Sequence, residues 1–313
     1  MSRVYEALQR SQGDKSSASP LVPDQSDTAA NTAAGVAVAA GVAVAPEPIA
    51  DASWLEVPAD RVLHPVPTPE QRLVALSDPD GHGAEMFRVL ATRLAHMQSK
   101  RHLQKLLITS SVVDEGKSVV AVNLGLTLAR RCDCRVLLIE ADLRRPTAGA
   151  LLSSKSLRGI SEWNDGSLAL KDCLYQVRDM PLWFLPAGHP MNEPLPLLES
   201  GRFSKMLEQV SAGFDWVLLD ATPLLPMADS TSLARLCDGA LVVVRDGVTR
   251  KKVLNKAIAS LEKSKLLGMV FNQAATLNID YGHYYGYSSN GKSGKGSKKH
   301  AQKEADQVKA ASA

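Results

Sequence analysis

The sequence predicts a doubly wound α/β fold, a mostly parallel sheet with helices on both faces. Three observations carry that prediction. Six short runs, "KLLITS" (105–110), "RVLLIE" (135–140), "LWFLPAG" (182–188), "WVLLDA" (216–221), "GALVVVRD" (239–246) and "GMVFNQ" (268–273), are apolar without strict alternation, as strands buried on both faces are. Helical segments separate them, the arrangement that builds parallel sheets through crossovers. The stretch "SSVVDEGKSVV" (110–120) sets a Gly-Lys-Ser loop between the first run and a helix.

In chain order, residues 1–82 read as an N-terminal short helix followed by a disordered Ala/Pro/Ser linker. The helix, in "MSRVYEALQR", is too short to be stable alone and forms on a partner if at all. The apolar stretch "AAGVAVAAGVAVA" (33–45) falls short of the roughly 20 residues that cross a bilayer, so it reads as linker. Residues 83–280 form the nucleotide domain. It opens on "GAEMFRVLATRLAHMQ", where Met86, Val89, Leu90, Leu94 and Met97 recur at helical spacing. A helix over 117–131 carries Val120, Leu124 and Leu128 on one stripe, and one over 249–264 joins the last two strands. Residues 281–313 are a flexible, basic tail holding Tyr281, Tyr284, Tyr285 and Tyr287, four of the six tyrosines in the chain. Packing does not produce such a concentration.

Bulk properties narrow the function. A formal charge of +3 argues for neither nucleic acid nor a membrane surface as partner. Cys132, Cys134, Cys173 and Cys237 are scattered and read as reduced thiols. His82, His96, His102 and His189 show no metal-ligand spacing.

The chemistry lies at the strand ends. In a P-loop, successive backbone N–H groups and a helix N-terminus converge on phosphates, the lysine adds a point charge, and the Ser or Thr hydroxyl holds Mg²⁺. Here Ser111, Val112, Val113, Asp114, Glu115, Gly116, Lys117, Ser118 and Val119 occupy that loop. Ser111 stands where the pattern has its first glycine, and Asp114 brings a negative charge beside the phosphates. Phosphoryl transfer also needs carboxylates for Mg²⁺ and the attacking oxygen. "RVLLIEADLRRP" supplies Glu140 and Asp142, and "WVLLDA" supplies Asp220. Together these predict a P-loop NTPase that binds ATP and Mg²⁺.

In that order of motifs the chain resembles the bacterial tyrosine kinases of capsule and exopolysaccharide export, the CpsD/CapB type. These combine a P-loop, a strand end of the form Asp-x-Asp-x-Arg-Arg-Pro, a second strand ending in Asp, and a tyrosine-rich tail. The resemblance covers roughly 83–287, and "LPAG", "LLES", "GALVVVRDG" and "GMVFN" fall in place within it. It implies that Lys117 neutralises phosphate, while Ser118, Asp142 and Asp220 hold Mg²⁺. It also implies that Glu140 accepts the attacking tyrosine's proton and that Asn272 contacts the base. Arg144 and Arg145 would hold phosphate or a neighbouring subunit. The acceptors would be Tyr281, Tyr284, Tyr285 and Tyr287, phosphorylated between copies of a homo-oligomer. The implied setting is the cytoplasm, peripheral to the inner membrane through a membrane co-polymerase of polysaccharide export.

Three departures accompany the resemblance. Glu140 replaces an aspartate, a shift of about 1.5 Å in carboxylate position. Asp114 and Val119 replace a Gly and a Thr in the loop. The family's self-association motif, Glu-x-x-Arg-x-x-Arg, stands here as Glu85, Arg88 and Ala91. These departures keep open an alternative, a nucleotide-binding regulatory subunit of the co-polymerase that transfers nothing. A ParA/MinD-type ATPase is disfavoured, because Val112 occupies the position of that group's early lysine.

Overall fold

The computed structural model describes residues 55–273, apart from residues 133 and 154 and the side chain of Cys132. The tyrosine cluster 281–287, the "MSRVYEALQR" segment and the apolar stretch 33–45 lie outside the described residues.

Among the described residues one sheet has eight strands: β1 (Val62–Leu63), β2 (Lys105–Ser110), β3 (Val136–Glu140), β4 (Tyr175–Val177), β5 (Leu182–Leu185), β6 (Trp216–Asp220), β7 (Gly239–Arg245) and β8 (Leu266–Asn272). Their order is β1-β4-β5-β3-β6-β2-β7-β8. Neighbours run parallel except β4 and β5, so β1 and β4 form a reversed margin on a parallel sheet.

The apolar runs owe their texture to two cores. Leu107, Leu137, Ile139, Val217 and Leu219 point to one side, where Phe203, Met206, Leu207 and Val210 of the helix Gly201–Ser211 cover them. Leu106, Ile108, Leu138 and Leu218 point to the other side, against Val120, Leu124 and Leu128 of the helix Lys117–Cys132. Both parities of each central strand are therefore buried, and no alternation is left to read. Burying a Leu or Val side chain is worth about 1.5–3 kcal/mol each, so these central strands are the most firmly placed part of the sheet.

Three expectations are corrected. The nucleotide domain begins well before residue 83. β1 pairs with β4, and Leu63, Leu73 and Ala75 are buried. This segment is tied to the helix Lys117–Cys132 at buried Asn123, whose Oδ1 accepts from Ala75 N (3.0 Å) and whose Nδ2 donates to Arg72 O (3.1 Å). Second, of the stripe expected on the helix His82–Gln98, Leu94 is buried and Leu90 and Met97 pack against the core, while Met86 and Val89 are exposed. Ala84 and Ala91 complete the inward face, so the stripe holds in the C-terminal half of the helix and fails in the first turns. The last crossover helix is also shorter than expected, Lys251–Ala259.

Candidate active site

β2, β6 and β3 lie side by side, and their C-terminal ends carry the site. Ser110 ends β2 and the chain turns through 111–116 into the helix that starts at Lys117. Glu140 and Asp220 are register partners at the ends of β3 and β6. The topology thus assembles in one crevice the residues that the sequence predicts.

The loop's backbone explains which glycines matter. Positive φ occurs at Asp114 (63°) and Gly116 (86°) and not at Ser111. The first glycine of the pattern is dispensable here because Ser111 needs no left-handed conformation. Asp114 does take one, a conformation Asp tolerates better than most residues, and it is exposed, so its charge has access to water. Gly116 is required twice over: a Cβ there would lie 2.1 Å from Asn272 Nδ2.

Lys117 lies between two acids. Its Nζ is 2.9 Å from Asp142 Oδ2, 3.9 Å from Asp220 Oδ1 and 3.4 Å from Ser118 Oγ. Burial works against its charge, but the carboxylates of Asp220 and Asp142 outweigh it and raise its pKa. Asp220 is fully buried, and neither of its oxygens has a hydrogen-bond partner among the described residues. Burial raises its pKa, with Lys117 and the neighbouring Ser118 hydroxyl, which falls short of full hydrogen-bond geometry, pulling the other way. A buried carboxylate with open lone pairs calls for a cation or ordered water. With Asp142 and the Ser118 hydroxyl it forms a set of hard oxygen donors that fits Mg²⁺.

Other predicted residues are engaged differently. Glu140 accepts from Gly149 N (3.0 Å, Oε1) and Ala187 N (3.2 Å, Oε2), and burial raises its pKa against the pull of those amides. Asn272 donates from Nδ2 to Glu115 O (3.0 Å) and accepts from Gln273 N at Oδ1 (3.0 Å), so it braces the loop over Gly116. Arg144 forks onto Asp229 (2.7 and 3.3 Å) and reaches Asn192 O (2.7 Å). It ties three loops together, leaving Arg145 as the exposed cation of the pair. Asp142 Oδ1 accepts from Arg145 N (3.0 Å), which fixes the turn after β3.

Ala91 is buried, so that position offers no surface for a cation. Glu85 and Arg88 pair at 2.5 Å, and Arg131 of the neighbouring helix joins them by donating to Arg88 O (2.7 Å) and to Thr92 Oγ1.

One residue at the site escaped the sequence reading. Thr147 Oγ1 lies 2.8 Å from Ser118 Oγ. The only signal for it is its place directly after "DLRRP". No helix among the described residues is long and apolar enough to cross a membrane.

A parallel sheet whose Gly-Lys-Ser loop opens a helix beside two acidic strand ends defines a P-loop nucleotide-binding protein. No protein-family model matches the chain. It is 30% identical over 224 residues to the tyrosine-protein kinase YwqD of Bacillus subtilis, a span covering 71% of this chain and 94% of that protein. It is 31% identical over 212 residues to the succinoglycan biosynthesis transport protein ExoP of Rhizobium meliloti, covering 66% of this chain and 27% of that longer protein. Among solved structures, the BceF tyrosine kinase domain is similar with a TM-score of 0.57 at 30% identity, covering 64% of this chain and 81% of that one. The chain belongs to the bacterial tyrosine-protein kinases, whose members include proteins of exopolysaccharide biosynthesis.

Proposed function

We propose that this chain is an ATP-dependent autokinase that phosphorylates Tyr281, Tyr284, Tyr285 and Tyr287 of a neighbouring copy and so regulates exopolysaccharide or capsule polymerisation and export. The observation that carries the reading is the cluster of Lys117, Ser118, Asp142 and the open Asp220 carboxylate at the phosphate loop. ATP fits with its phosphates against the 111–118 loop and the helix N-terminus at Lys117. Lys117 then exchanges its carboxylate partners for phosphate oxygens. Ser118, Asp142 and Asp220 would hold Mg²⁺, which would supply charge neutralisation to the phosphates.

The tyrosine oxygen forms a bond to the γ-phosphorus, the bond from that phosphorus to the bridging oxygen breaks, and ADP leaves. The phenolic proton passes to a strand-end carboxylate. Burial raises the pKa of Glu140, which suits a proton acceptor, and each oxygen keeps a second lone pair beside the amide it holds. Each phosphotyrosine adds about −1.5 to −2 charges near neutral pH. A multiply modified tail therefore repels its neighbours and loosens a homo-oligomer. The site of action is the cytoplasmic side of the inner membrane, reached through a membrane co-polymerase; the relatedness to a named transport protein supports that setting.

Peptide and intact-mass spectrometry of the parent beside Lys117→Ala tests the reading. Phosphate on 281–287 in the parent, abolished in the variant, is the expected result. Its absence from both, in the presence of Mg²⁺ and ATP, favours the alternative of a nucleotide-binding regulatory subunit. The closed hydrogen bonding of Glu140 is the observation on that side.

A further inference from the structure

The phosphate loop contains a buried acid that is bonded wholly within the protein. Glu115 is 2% exposed, and its Oε2 accepts from Ser111 N (2.6 Å) and Val112 N (3.0 Å). These amides open the loop, yet they face a carboxylate and not a ligand. Its Oε1 accepts from the hydroxyl of Thr249, 134 positions along the chain. Thr249 ends the turn that follows β7, a turn folded back by Thr249 N donating to Arg245 O (3.1 Å). The same turn reaches β8 through Asp246 N and Asn272 O (3.0 Å), and Asn272 Nδ2 returns to Glu115 O (3.0 Å). A closed circuit of hydrogen bonds therefore runs from the phosphate loop to the β7 turn, to the end of β8, and back.

We propose that Glu115 and Thr249 form a clasp that holds the phosphate loop in its nucleotide-binding curve, with both acting as positioning residues. The inference rests on the nucleotide-binding reading above and assigns the loop's shape to residues outside its glycines. The physical case is one of saturation. A buried carboxylate needs its lone pairs occupied, and hydrogen bonds to an ionised acceptor are roughly twice as strong as neutral ones. Without the Thr249 hydroxyl, Oε1 is a buried acceptor with nothing to accept. Turning Glu115 outward relieves it and frees the Ser111 and Val112 amides. The loop then loses the internal tie that fixes its first two amides, and a displacement of about 1 Å at reacting groups changes rates on the order of 100-fold.

The test compares the full chain with Thr249→Val and Thr249→Ser. Two quantities are read: titration with Mg²⁺·ATP, and hydrogen exchange at the Ser111 and Val112 amides without nucleotide. Thr249→Val is expected to weaken Mg²⁺·ATP binding about tenfold or more and to speed exchange at 111–112 by a similar factor. Its melting temperature should stay close to the parent's, and Thr249→Ser should restore both readouts. Parent-like binding and exchange in Thr249→Val overturn the clasp while leaving the kinase reading intact. A parent that binds no Mg²⁺·ATP overturns both. Should Thr249→Val unfold, Glu115→Gln read by exchange alone decides: unchanged protection at 111–112 overturns the proposal.

Discussion

Two groups of buried acids share the C-terminal edge of this sheet, and they differ in what they are bonded to. Glu115, Glu140 and Asp229 are closed onto fixed parts of the chain. Glu115 holds two backbone amides and a hydroxyl, Glu140 holds two amides, and Asp229 holds the fork of Arg144. Asp142 and Asp220 are open: each turns an oxygen to the Lys117 ammonium, at 2.9 and 3.9 Å, the group that a bound phosphate would draw away. All five are acids at or near loop positions of similar depth, so depth alone does not distinguish them. The partner does. Closed acids join segments of chain and shape the crevice, while open ones can give up Lys117 and offer oxygens to a cation that arrives with substrate.

The sharpest way to break that division is to remove a partner from a closed acid. Arg144→Ala leaves Asp229, 1% exposed, as an uncompensated buried charge. Breaking a buried pair in this way costs about 3–5 kcal/mol, which urea unfolding of the nucleotide-free protein would read directly. A change below about 1 kcal/mol would show that Asp229 is not structural. The complementary test takes charge from an open acid. Asp220→Asn removes a buried charge whose burial outweighs its 3.9 Å contact with Lys117, and Lys117 keeps Asp142 at 2.9 Å, so the ligand-free protein should be at least as stable as the parent. Its nucleotide affinity should lose the increment that Mg²⁺ adds in the parent, seen by titrating ATP with and without Mg²⁺. Destabilisation beyond about 1 kcal/mol would mean that the Asp220–Lys117 pair is structural.

This division also marks what the sequence could convey. The strands of the central sheet were legible to within about three residues, because burial on both faces leaves an unbroken apolar run. Lys117, Asp142 and Asp220 were legible because strand ends in a parallel sheet converge by topology. Residues 55–77 were not, since β1 is two residues long and its surroundings are rich in proline with no period. Glu140 looked like an open acid for a related reason: its partners are the amides of Gly149 and Ala187, and a backbone N–H leaves no trace in residue identity. The Arg144–Asp229 fork and the Glu115–Thr249 contact join positions 85 and 134 apart, and only the fold brings them together.

The smallest expected effect sharpens the comparison away from the site. Glu162 is another closed acid, accepting from Gly159 N (2.6 Å) and bonded to His189 Nδ1 (3.2 Å). Burial opposes its charge, but the Gly159 amide and His189 outweigh it and lower its pKa from the usual 4.5. Because the folded pKa is depressed, the charged form contributes stability above pH 4.5, and that contribution fades as pH falls through the folded value. Glu162→Gln keeps the shape and removes the charge. It should cost on the order of 1 kcal/mol at pH 7, and the gap to the parent should close as pH is taken well below 4.5 in urea unfolding. If the gap is the same at both pH values, the loss is one of packing, and saturation of the charged form is not what Glu162 contributes.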